Sequence, residues 1–96
     1  LLVDEKPILG GSTIYQNSEN FKINNQNSGS WLEKEINEIK KISNLDIKVR
    51  TSVAAYHGYN FLLARESLTD HLPIEQRKNK TRHKLLKIRA KKVICA

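Results

Sequence analysis

Cysteine occurs once in these 96 residues, methionine not at all, proline twice and glycine four times. A lone Cys95 founds neither a disulfide framework nor a Cys-rich zinc site, and it fits a reducing compartment. No run approaches the roughly 20 apolar residues of a membrane helix. The opening LLVDEKPILGG also lacks the basic leader and long apolar stretch of a signal peptide. These absences predict a cytoplasmic chain with no membrane span. Apolar residues make up 39% and charged residues 28%, close enough to the globular average to exclude collagen-like and disordered classes.

Acids are scarce in one region only. Residues 71–96 hold nine Lys or Arg against the single Glu75, whereas residues 1–70 hold eight bases against nine acids. The net charge of +7 is thus a C-terminal property. Strong basicity invites a nucleic-acid or anionic-membrane partner, but where the charge lies decides how far that reading goes.

LLVD is a short apolar run of strand formers ending in acid, followed by Pro7 and the pair Gly10, Gly11, so a strand over 1–4 and then a turn are predicted. The run begins without a polar lead-in or an initiating Met, which suggests a fragment entered partway through an element. Residues 16–30 carry five Asn and two Gln with only Phe21 and Ile23 apolar, the composition of a polar loop that cannot offset its ordering entropy. Ser30 and Glu33 then form a capping-box pattern, Glu33 and Glu35 suit the positive helix end, and Lys40 and Lys41 suit the negative one. A helix over about 31–43 follows, with Leu32, Ile36 and Ile39 as an apolar stripe flanked by Trp31.

After Asn44 the period becomes two: Ile47 and Val49 alternate with Lys48 and Arg50. VAAYHGYNFLLARE reads as two strands meeting around residues 57–60, SLTDHLPIEQRKNKTR as a solvated loop, and HKLLKIRA and KKVICA as two further strands, the last one buried. The whole is an α/β pattern in one unit, with a meander and its basic loop over 51–91.

An apolar strand ending in Asp4 and Glu5 is where a dinucleotide-binding fold places the acid that accepts hydrogen bonds from ribose hydroxyls. The glycines after it would let the backbone turn tightly and approach a ligand. LLVDEKPILGGS, WLEKEINEIKK, VRTSVAAYHGYN, ESLTDHLP and KIRAKKVICA together resemble the alpha subunit of heterotetrameric sarcosine oxidase over nearly the whole chain. The resemblance implies a partial Rossmann-like FAD/NAD(P)-binding domain with an antiparallel β-meander insert, its first strand and Gly-rich loop missing. It also implies bound NAD, with Asp4 and Glu5 on the adenosine ribose, Lys6, Gly11 and Ser12 beside it, and the Val53 backbone on the adenine.

Around this domain the resemblance implies an assembled enzyme with FAD and FMN, and beta, gamma and delta subunits as partners. Its activity would be oxidative demethylation of sarcosine to glycine, with transfer of the methyl carbon to tetrahydrofolate. Amine oxidation belongs to another subunit of that enzyme, so no catalytic residue is assigned here and the isolated segment is expected to be inactive. A related FAD/NAD-dependent amine or opine oxidoreductase subunit would share the domain.

His57, His71 and His83 have no carboxylate or Cys at ligand spacing and read as turn or surface residues, with no metal site. Cys95 in an apolar strand reads as inert core. The competing class is a basic nucleic-acid-binding module. It is disfavoured because no aromatic follows Phe61, which leaves the basic part without a stacking platform.

Overall fold

The computed structural model describes residues 1–16 and 20–96. Strand β1, Leu2–Val3, pairs in parallel with β4, Ile47–Lys48, in the register Leu2 with Ile47 and Val3 with Lys48. Parallel neighbours need a crossover. Here it contains a 3-10 helix at Gly11–Tyr15, a small hairpin of β2 (Lys22–Ile23) and β3 (Gln26–Asn27), and helix α1 at Ser28–Lys40.

The polar stretch is therefore only partly a loop. Asn24 and Asn25 both take left-handed φ, 49° and 61°, as a tight hairpin turn between paired strands requires. Asn27 caps α1, its Oδ1 accepting from the Gly29 N–H at 2.9 Å. The predicted capping box of Ser30 and Glu33 is not formed, since the helix begins three residues before 31 and Ser30 lies inside it. Ser28 takes the buried first position, and its hydroxyl donates to the Gln16 carbonyl at 3.4 Å. The part of the predicted loop at 17–19 lies outside the described residues.

At the far end α1 stops at Lys40, not 43, with the Lys41 N–H bonded to the carbonyls of Glu38 and Ile39. Gly10, at φ 129°, fixes how the chain meets this helix. A Cβ there would lie 2.7 Å from Leu32 Cδ2 and 2.8 Å from Ile14 Cγ1.

The predicted meander is present as a three-stranded antiparallel sheet, β5 (Thr51–His57), β6 (Phe61–Ser67) and β7 (His83–Arg89), with β6 central and a bulge between Val53 and Ala55. Tyr59 and Asn60 carry the tight turn with φ 59° and 52°. The Asn60 side chain accepts from the Tyr56 hydroxyl and donates to the Lys91 carbonyl at 3.0 Å, tying the tip to the end of β7. One sheet face holds Leu62, Ala64, Leu86 and Ile88, and Ala64 is fully buried.

Two predictions fail at the C-terminal end. KKVICA forms no strand, Ile94 is 92% exposed and Cys95 is exposed, so Cys95 is not core. Apolar composition alone makes no strand: residues 91–96 have no neighbouring backbone to pair with among the described residues. The fold class is mixed α/β, with helix and strands as predicted.

Candidate functional site

The carboxyl edge of the parallel pair is where open α/β sheets bind ligands. Asp4 directly follows β1 there. Its N–H donates to the Lys48 carbonyl and its carbonyl accepts from the Thr51 N–H, both at 2.9 Å. Its Oδ1 accepts from the Lys6 N–H at 2.8 Å, the two-residue turn that Asp favours after a strand. Two bonds thus fix the Asp4 backbone and one holds its carboxylate, while Oδ2 has no partner among the described residues.

Glu5 and Lys6 are exposed and make a loose pair, Lys6 Nζ to Glu5 Oε1 at 3.6 Å. Exposed charges at that distance interact weakly. Val53 stands two residues beyond Thr51 on β5, with its side chain 49% exposed. The structure therefore joins Asp4 to Thr51 by a backbone bond and to Lys6 through the Asp4 carboxylate, and sets Val53 on the adjoining strand.

Gly11 and Ser12 open the 3-10 helix, which packs on α1. Gly11 has left-handed φ, 52°, and open space around it, while Gly10 is required by Leu32 and Ile14. The glycine pair thus serves the turn and the close approach of α1. The groove of about 660 Å³ beside it, lined by Ile8, Leu9, Ile14, Leu32, Ile36 and Ile47, is an apolar packing surface that does not include Asp4.

Two groupings escaped sequence reasoning. Arg50 joins the parallel pair to the meander: its N–H donates to the Lys6 carbonyl and its carbonyl accepts from the Ser67 N–H, each at 2.9 Å. In sequence it is one cation in an alternating run, and the break in alternation follows only from tertiary pairing.

The second grouping is in the basic loop, which is solvated as expected and also clipped to the sheet. Asp70 Oδ1 accepts from Arg82 Nε at 2.6 Å and Oδ2 meets His83 Nε2 at 2.5 Å. Arg77 bonds the carbonyls of Leu72 and Asp70, and a short helix α2, Ile74–Arg77, lies inside the loop. The Arg82 guanidinium, and then the His83 imidazole, hold the Asp70 carboxyl well below the usual carboxylate range against a smaller opposing effect of desolvation. His83 is thus a loop clasp, not a bare surface residue. The clip joins Asp70 to Arg82 and His83 far along the chain, which spacing rules do not detect.

Folding also changes the view of the basic region. Phe61 faces Arg89 across β6 and β7, with the guanidinium carbon 5.3 Å from the ring centroid, and Arg65 and Lys87 share that sheet face. No group of three or more potential ligands for a metal ion occurs among the described residues. No helix in the described residues is long and apolar enough to cross a membrane. No protein-family model matches the chain, and no curated protein is significantly similar to it.

Proposed function

We propose that the chain supplies the adenosine-ribose corner of an NAD-binding domain like that of the alpha subunit of heterotetrameric sarcosine oxidase. The observation that carries this reading is Asp4: a carboxylate fixed at the carboxyl edge of parallel strands joined through a helix, with one oxygen left unpartnered among the described residues. That oxygen suits a ribose hydroxyl, and charge repulsion from Asp4 and Glu5 disfavours a 2′-phosphate, so NAD is preferred to NADP.

The donor set fits the ribose end of the cofactor only. Gly10 is committed to helix packing, and the segment after the glycine pair is a short 3-10 helix, not a cradle for a pyrophosphate. When bound, NAD supplies a hydride-accepting ring. The chain's own residues orient the adenosine end: Asp4 accepts from the ribose, Thr51 holds the Asp4 backbone, and the meander beginning at β5 offers the Val53 backbone to the adenine edge. Oxidative demethylation of sarcosine, FAD and FMN chemistry, transfer to tetrahydrofolate and contacts with the other subunits lie with the rest of the proposed enzyme. Sequencing the reading frame on both sides tests the assignment. It predicts a Gly-rich strand-turn-helix just before Leu1 and Thr-Gly just after Ala96; their absence would overturn the family reading.

The Phe61–Arg89 stack with Arg65 and Lys87 favours one further reading, a face for single-stranded nucleic acid. Saturable binding of oligo-dT that weakens steeply with salt would support it. Arg89 already covers the Phe61 ring, so the NAD reading is preferred.

A further inference from the structure

Among the described residues, six non-glycine residues take left-handed φ, and four are asparagines, which adopt it readily. Tyr59 is placed there by the hairpin tip. Arg50, at φ 50°, is the bulky exception outside such a tip, at the junction where β4 gives way to β5. The backbone overdetermines it through the Lys6 carbonyl and the Ser67 N–H. A glycine would meet the same backbone demand without a steric penalty, so the fold alone gives no reason for arginine. The residue is half-buried, and its guanidinium makes no hydrogen bond or ion pair among the described residues. Thr51, which follows it, holds the Asp4 carbonyl.

With a left-handed backbone held beside the carboxyl edge and a guanidinium unpaired among the described residues, Arg50 has the attributes of a ligand-contacting residue. We propose that Arg50 lays its guanidinium plane against the adenine of the nucleotide held by Asp4, an inference that rests on the reading of Asp4 given above. Asp4 and Glu5 disfavour a phosphate at this corner, whereas a neutral aromatic base is compatible with both signs of charge. A guanidinium is planar, weakly hydrated and suited to stacking on a π face; an ammonium is not.

The test is calorimetric titration of NAD into the full-length protein carrying these residues, comparing the wild type with Arg50→Gly, Arg50→Lys and Asp4→Ala. Arg50→Gly weakens NAD binding about tenfold, the loss of one cation–π contact, while its thermal midpoint stays at or above that of the wild type. Arg50→Lys keeps the charge and loses the plane, so it weakens binding to a similar extent. Wild-type affinity in Arg50→Gly, with a loss in Asp4→Ala, overturns the role of Arg50 and leaves that of Asp4 standing. Full, strongly salt-dependent binding by Arg50→Lys identifies a phosphate contact and also overturns the stacking. Absence of NAD binding by the wild type overturns both readings.

Discussion

Single residues in this chain are chosen for backbone reasons that composition disguises. Gly10 resembles a ligand-approach glycine, yet its missing Cβ makes room for Leu32 and Ile14 at a φ that L residues rarely adopt. Gly10→Ala is therefore expected to destabilise the fold by about 1–3 kcal/mol through overpacking and backbone strain. A shift in urea midpoint at constant m-value would measure it, and no shift would show that the contact yields freely. The Asn residues near the hairpin teach a related lesson. Their number suggested a loop, whereas Asn24 and Asn25 turn the chain and Asn27 caps α1. The place of Asp4 at the end of β1, by contrast, was legible because an acid ending an apolar strand follows a local rule.

At the level of elements, the meander was legible from alternation and from the turn at residues 57–60, because hairpin pairing is local. Helix α1 was legible in its apolar stripe but shifted by three residues, since both Asn27 and Ser30 are acceptable caps and burial of Ser28 favoured the earlier one. The clip between β6 and β7 was illegible because it joins Asp70 to residues twelve and thirteen positions later. That clip gives a pH prediction. The Asp70 carboxyl titrates lower folded than unfolded, so its contribution to stability is present above about pH 4 and is lost as the pH falls through the folded value. Asp70→Asn should remove this part of the acid sensitivity and speed amide exchange at Leu68, whose N–H bonds the Arg82 carbonyl at 2.9 Å. Unchanged exchange in the variant would mean that Arg77 alone closes the loop.

For the whole molecule, the accessible surface is 7831 Å², against roughly 5,600 Å² expected of a folded monomer of this mass. The radius of gyration is 16.3 Å, against about 12.5 Å for a compact domain of this length. Leu62 and Ala64 are the only buried apolar side chains among the described residues, and the α1 groove lies open. A two-stranded parallel sheet is also unusual without cover on both faces. The 96-residue chain alone is thus expected to unfold broadly in differential scanning calorimetry; a sharp two-state transition would contradict this. The sequence could not reveal the open core, because an apolar stripe reads the same whether or not something packs against it. KKVICA illustrates the point: strand-like in composition, it is largely exposed and pairs with no backbone among the described residues.

Recognition of a nucleotide ribose by Asp4 is open to calorimetric titration of NAD into the full-length protein and its Asp4→Ala variant. Loss of a charge-assisted hydrogen bond should weaken binding by about 1–3 kcal/mol, roughly a ten- to hundredfold rise in Kd. Equal affinity of the two proteins for NAD would rule out ribose recognition by Asp4 and leave it as no more than the acid of a turn.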